Sequence, residues 1–383
     1  MNISYIDQTG QLGGGELSLL DWLRVSPKDA SVVLFEDGPF RPLLEELGIP
    51  VEILPLAGLK EVRRESGSLK LVSTLPALLN LRKRLAERAL QADVLYANSQ
   101  KAFFLAAFAK RSGQPLVWHL RDILTGDHFS PILRRLAVTA GNRFATAIIV
   151  NSKATADAFV AAGGCAEKLR EVPDGVSARP FDEVDPDTVM RLRQELCPPG
   201  KIMVGVFGRL AEWKGQHILL EAAVGLPDVH ICVVGDALFG EQLYAKTLQE
   251  RASRADLSKR VTFLGFRRDI PALMKCMDII AHTSTVAEPL GRVILEGMLA
   301  RKPVIATRAG GAAEIVTDRE NGILVTPGSA TELFNAIELL CNDKELSVEL
   351  ASAGRLHAES AFSMEIMADR VRQVLQNLPP KTQ

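Results

Sequence analysis

Two series of short apolar runs, each alternating with longer helical patterns, constrain this chain more than any other feature. In the first series residues 3–6, 32–35, 51–54, 94–97, 116–119 and 147–150 read as strands; in the second, 201–207, 230–234, 261–264, 279–281, 303–306 and 322–325. Apolar strands that alternate with helices make parallel sheets covered on both faces. Between the series, residues 173–200 hold Pro173, Gly175, Pro180, Pro186, Pro198, Pro199 and Gly200 and read as a linker whose short helix over 187–196 has no core of its own. The expectation is an α/β chain of two Rossmann-like doubly wound domains, 1–180 and 181–363, facing across a cleft at the carboxyl ends of both sheets. The last helix, 364–378, can pack on either.

Length agrees, because 383 residues exceed one ordinary domain, and 47% hydrophobic with 24% charged residues supply two cores. With 45 basic against 46 acidic residues there is no global field to draw nucleic acid, so no nucleic-acid partner is expected. Cys165, Cys197, Cys232, Cys276 and Cys341 are odd in number and scattered, which fits a reducing cytoplasm. The N-terminus reads as a strand rather than a secretory signal, and no 18-residue apolar run suggests a membrane span.

The most informative segment is 288–304, EPLGRVILEGMLARKPV. Pro289 and Gly291 suit a loop entering a helix over 293–300, so Glu288 precedes the helix and Glu296 lies within it. The amides of Leu290, Gly291, Arg292 and Val293 then point out of the helix start, where partial positive charge favours phosphate. A carboxylate accepts hydrogen bonds from two adjacent hydroxyls, and a nucleotide sugar carries one diol on either side of its diphosphate. Two surface glutamates on a helix would satisfy the spacing equally well. Upstream, GRLAEWKG over 208–215 follows a strand and sets Gly208, Arg209 and Lys214 on a carboxyl-end loop, where two cations would offset a diphosphate.

Together with KPVIAT over 302–307, FLGF over 263–266 before Asp269, and AGG over 309–311 leading to Glu314, these residues resemble the family 4 retaining glycosyltransferases, which have the GT-B fold. The resemblance is dense over 205–332. It implies that Glu296 holds the ribose, Glu288 the transferred sugar, and Arg209 and Lys214 the diphosphate. Phe266 and Arg267 would line the base through backbone groups, and Gly291 and Arg292 would offer amides to phosphate. Leu290 departs from the Phe or Trp common there, which alters the sugar pocket.

In the first half, GGGE over 13–16 opens a helix, and Gly14 and Gly15 let an anion or sugar approach the backbone. A dinucleotide fingerprint fits poorly, since Ser18 replaces its third glycine and residues 7–12 intervene after the strand. A helix-opening turn with no ligand remains open. His119 in WHLRD ends a strand, and a structural role and a cleft role are equally compatible with that place. By the resemblance it lies beside the transferred sugar. Asn98 and Ser99 end another strand as sugar contacts or as a helix cap.

Asp185-Pro186-Asp187 spells D-x-D but follows no strand, so helix capping is the expected role, and no metal and no cofactor are expected. His119, His128, His217, His230, His282 and His357 have no ligand spacing. Residues 70–91 form an amphipathic pattern in which Arg82, Lys83, Arg84 and Arg88 lie near Leu75, Leu78, Leu79 and Leu85, a solvated outer helix or a peripheral contact with the inner face of a membrane.

The resemblance thus implies a metal-independent retaining hexosyltransferase, with UDP-glucose as donor and a glycan or lipid-linked acceptor, in polysaccharide or glycolipid synthesis. Alternatives are a GDP-mannose-dependent transferase, a GT-B nucleotide-sugar epimerase, or a non-catalytic nucleotide-sugar binding protein.

Overall fold

A computed structural model describes residues 1–25, 29–55, 68–126, 129–237 and 240–380. The chain divides into two compact units, Met1–Gly175 with Met364–Gln383, and Val176–Ser363. The division falls at Gly175, inside the proline-rich stretch.

The first unit holds β1 (Ile3–Asp7), β2 (Ala30–Leu34), β3 (Val51–Ile53), β4 (Val94–Ala97), β5 (Leu116–Leu120), β6 (Ala147–Val150) and β7 (Leu169–Glu171). They pair in parallel in the order β3-β2-β1-β4-β5-β6-β7. Strand alternation divides the apolar residues between two cores. Leu116, Trp118 and Leu120 of β5 face a core with Phe103 and Phe159 on one side, whereas Val117 faces the other with Leu19, Leu20 and Trp22. Helix Met364–Gln376 belongs to that second core through Met367, Val371 and Leu375. Apolar residues four apart on a helix stack on one face, which is why this last segment docks here.

The second unit holds β8 (Ile202–Phe207), β9 (Val229–Val234), β10 (Val261–Gly265), β11 (Ile279–Ala281), β12 (Val304–Thr307) and β13 (Ile323–Val325), in the parallel order β10-β9-β8-β11-β12-β13. Met203 and Phe207 of β8 enter one core while Val204 and Val206 enter the other. In both sheets the order runs outward from the first strand in both directions, so the loops after β1 and β4, and after β8 and β11, flank the switch point where such sheets bind ligands.

Asp185 is the N-cap of helix Pro186–Leu196 and accepts from the amides of Asp187 and Thr188 at 3.3 and 3.1 Å. Ser99 likewise caps helix Gln100–Ala109 through the Ala102 amide at 3.4 Å. On helix Ser68–Gln91 the side chains of Leu75 and Leu78 lie outside the described residues, as does His128. Leu85 is buried, Leu79 is exposed, Arg84 and Arg88 pair with Glu52, and Arg82 donates to the Phe108 carbonyl at 3.0 Å. These are the contacts of an outer helix packed on its own sheet. Among the described residues no helix is long and apolar enough to cross a membrane.

Candidate active site

In the second unit, the carboxyl-end loops are tied together backbone to backbone. After β8, the Gly208 amide donates to the Val234 carbonyl of β9 at 2.9 Å, and after β9 the Gly235 amide donates to the Gly265 carbonyl of β10 at 2.9 Å. Gly235 has φ +139, and a Cβ there would lie 1.9 Å from the Gly208 carbonyl oxygen, so only glycine permits the approach. The loop after β8 is also laced to the loop after β11. Thr285 donates its amide to the Trp213 carbonyl at 2.8 Å, and Thr283 Oγ1 donates to the Lys214 carbonyl at 2.8 Å.

These ties bring three of the expected residues together. Lys214 Nζ donates to Glu288 Oε2 at 2.6 Å. Arg209 and Lys214 both lie against the Trp213 indole, 5.5 and 4.5 Å from its centroid. An aromatic face attracts cations, so Trp213 holds the two charges on one loop despite their repulsion. Glu288 is buried and accepts at Oε1 from His282 Nε2 at 2.9 Å and from Ser284 Oγ. Burial pushes its pKa up, but the Lys214 charge, then His282, outweigh that and hold the carboxyl well below its ordinary range. The anion is therefore ionised and fixed before any ligand arrives.

The neighbouring helix, Arg292–Leu299, begins at Gly291 with φ +95. Arg292 Nε donates to Glu296 Oε1 at 2.8 Å across one helical turn, which sets Glu296 on the first turns of the helix, while Leu290 is buried in the core below and Val293 is half-buried. After β10, Phe266 is exposed and Arg267 forms a two-pronged ion pair with Asp269 at 2.8 and 2.6 Å. That pairing turns the Arg267 side chain to Asp269.

In the first unit, Gly14 and Gly15 open helix Gly14–Val25, and His119 ends β5. His119 is buried, with Tyr96 Oη 2.7 Å and Arg121 Nη2 3.1 Å from Nδ1. Arg121 binds both oxygens of Asp174 at 2.8 and 3.0 Å, Ser18 Oγ at 3.0 Å and Asn98 Oδ1 at 3.0 Å. Asn98 in turn donates to Asp7 and to the Gly15 carbonyl. For Asp174 burial acts upward, but Arg121, His119 and the bond from Ser18 prevail and bring its pKa down to about 2.

Sequence reasoning reached Arg209, Lys214, Glu288, Glu296 and His119 but not Trp213, His282, Ser284, Tyr96, Arg121 or Asp174. One signal was within reach: Arg121, Asp174, His282 and Ser284 all follow closely on the carboxyl ends of strands.

The glycosyl transferases group 1 family model matches residues 191–357, and the glycosyl transferase 4-like domain matches 17–175. The chain is 41% identical to Anabaena HepE, solved in complex with UDP-glucose, over 99% of this chain and 100% of that chain with a TM-score of 0.90. The chain belongs to the group 1 glycosyltransferases of the family 4 type. Its two doubly wound sheets are the GT-B fold. It is also 35% identical over 182 residues to the lipopolysaccharide core biosynthesis glycosyltransferase LpsE of Rhizobium meliloti (strain 1021), covering 48% of this chain and 52% of that protein. A GDP-mannose-dependent monoacylated alpha-(1-6)-phosphatidylinositol monomannoside mannosyltransferase of Corynebacterium glutamicum is 30% identical over 241 residues, 60% of this chain and 61% of that protein. The chain spans about half the length of the first curated relatives it matches, 52%, 51% and 54%.

Proposed function

We propose that this group 1 glycosyltransferase moves a hexose, with retention, from UDP-glucose to a glycan or lipid-linked acceptor, and needs no metal ion. The observation that carries the reading is the cluster of Arg209, Trp213, Lys214 and Glu288 at the carboxyl end of the second sheet. Two cations held against one indole ring match a diphosphate leaving group. Each charge-assisted contact contributes about 1.5–3 kcal/mol, and contacts that strengthen as charge develops on the leaving oxygen lower the barrier. This supplies the charge that a metal ion would otherwise bring.

Lys214 links the diphosphate to the sugar, because the same ammonium that faces phosphate orients Glu288 for the sugar diol. Glu296 would take the ribose diol, with the amides of Gly291 and Arg292 between the two glutamates. Retention follows if the acceptor attacks from the face that the diphosphate leaves, with a phosphate oxygen taking the acceptor proton, so no protein nucleophile is required. UDP-glucose is favoured by the HepE complexes, with UDP-glucose and with UDP and glucose, at 41% identity. GDP-mannose is the second reading, favoured by the Corynebacterium relative. The lipopolysaccharide setting of LpsE supports a glycolipid or polysaccharide acceptor.

Thermal shift against UDP-glucose, GDP-mannose and their free nucleotides separates the two donors, the larger stabilisation naming the base. Transfer assays on Arg209→Ala and Lys214→Ala then test the chemistry. Turnover is expected to fall about 100-fold or more in each. Near-normal rates in both would remove the proposal.

A further inference from the structure

Arg121 is not part of the family resemblance described above, yet it is the hub of the buried polar cluster in the first unit. A guanidinium has five N–H donors and no acceptor. Here Nε faces Asn98 Oδ1, Nη1 faces both oxygens of Asp174, and Nη2 faces Ser18 Oγ and His119 Nδ1. All three nitrogens have a partner. The hydrogen bookkeeping then runs outward without choice: Ser18 Oγ accepts from Arg121 and donates its own proton to Asp174, and Asn98 keeps its oxygen toward Arg121 and its amide group toward Asp7.

At His119 the same logic decides a proton. Two N–H groups cannot face each other at 3.1 Å, so Nδ1 presents its lone pair to Arg121 and also accepts from the Tyr96 hydroxyl at 2.7 Å. A neutral imidazole carries its one proton on the other nitrogen. Nε2 is buried and has no hydrogen-bond partner among the described residues. We infer that Arg121 is a positioning residue that locks His119 as the neutral Nε2–H tautomer, so that His119 presents a buried donor to a ligand oxygen and does not act as a proton acceptor.

Charge supports this. The groups facing the ring are Tyr96 from β4, Arg121 from the loop after β5, and Asp174 from the segment after β7, with the Asp7 and Glu16 carboxyls next to Arg121. Burial, then the Arg121 charge, hold the His119 pKa well below its ordinary value against the opposing pull of Asp174. Asp174 holds Arg121 in place, and the Ser18 and Asn98 contacts fix the plane of the fork. Only the identity of the ligand oxygen, a sugar hydroxyl, rests on the proposed transferase reading.

The test is nuclear magnetic resonance of the free 383-residue chain with 15N-labelled histidine, His119 being assigned by its loss in His119→Gln. Ring two-bond couplings report which nitrogen carries the proton. The expected result is a protonated Nε2 and a bare Nδ1 that hold from about pH 8 down to about pH 5.5, through the range where an ordinary imidazole titrates. A protonated Nδ1, a tautomer mixture or an ordinary titration in the wild type overturns the inference, whatever the transferase assays give. The paired variant Arg121→Met with Asp174→Asn removes cation and anion together, so that no lone buried charge is left. In it His119 is expected to titrate at about pH 6.5, the ordinary imidazole value. A folded paired variant whose His119 keeps the same tautomer and does not titrate also overturns it, and if that variant does not fold the wild-type spectrum alone decides.

Discussion

Lys214→Met isolates what the Lys214–Glu288 contact does. The carboxylate is buried, only 7% exposed, with the ammonium 2.6 Å away. At that separation and an effective dielectric of about 20 the Coulomb attraction is about 6 kcal/mol, most of it offset by the cost of taking both charges out of water. Removing the cation leaves the offset behind. Uncompensated buried charges cost about 3–5 kcal/mol, and because His282 and Ser284 still bond Oε1 the expected loss is at the lower end, about 3 kcal/mol. Glu288→Gln keeps the shape and leaves Lys214, which is nearer solvent, at a cost of about 1–2 kcal/mol. The double variant should cost less than the sum by about 1–3 kcal/mol, the coupling of the pair. Urea unfolding of the four proteins gives these differences.

The pH dependence adds a second check. The Glu288 pKa is depressed in the folded state, so its contribution is present above the ordinary value of 4.5 and is lost as pH falls below it. The stability gap between wild type and Lys214→Met should therefore narrow below about pH 4.5. Additive costs in the cycle, or a gap that does not change with pH, would refute the reasoning.

Other outcomes follow from the same contacts. Gly215 has φ +68 and a Cβ there would meet the Thr283 carbonyl oxygen at 2.0 Å, so Gly215→Ala should lose about 1–3 kcal/mol in a denaturation assay and weaken donor binding by shifting Lys214. Gly14→Ala, with nothing within 4 Å of its Cβ and a place in the first turn of a helix, should unfold no more easily than wild type and gain up to about 1 kcal/mol. Burial raises Asp7 to about 6, and burial together with the Asp7 charge raises Glu16 to about 7. Raised carboxyl values contribute stability at low pH that is lost on the way up, so melting temperature should decline between about pH 4 and 7, less steeply in Glu16→Gln. Hexose transfer should proceed at an unchanged rate in excess EDTA, and its abolition would contradict the metal-free proposal.

How much of this was legible in the sequence depended on whether a feature announced itself locally. The strands with continuous apolar residues did, and each lies within two residues of its expected place. β7, Leu169–Glu171, did not, because two of its three residues are charged and exposed at a sheet edge, so neither alternation nor an apolar run marks it. The cation pair was legible because Arg209 and Lys214 share one loop. Trp213 stood between them in plain view, but its part depends on ring geometry that spacing does not encode. Arg121 and Asp174 are 53 residues apart and meet only because β5, β6 and β7 lie side by side. Asp174 sits in a proline- and glycine-bearing stretch and read as linker, since a lone buried acid there has no local pattern.

The two units have built similar clusters from different cations, and the choice of cation separates their roles. Each has a buried carboxylate, a histidine and a serine beside a positive side chain: Asp174, His119 and Ser18 with Arg121, and Glu288, His282 and Ser284 with Lys214. In the first, all three nitrogens of the rigid arginine fork face protein acceptors, so its energy goes into fixing neighbours. In the second, the hydrogen bond to Glu288 uses one of the three donors of a rotatable ammonium that is 19% exposed and lies over an indole face. A point charge with donors to spare suits phosphate oxygens whose charge grows during a reaction. Exchanging the two residue types should therefore fail in opposite ways: Lys214→Arg would retain charge at the proposed diphosphate site while crowding Glu288, whereas Arg121→Lys would retain charge beside Asp174 yet release His119 from its fixed tautomer.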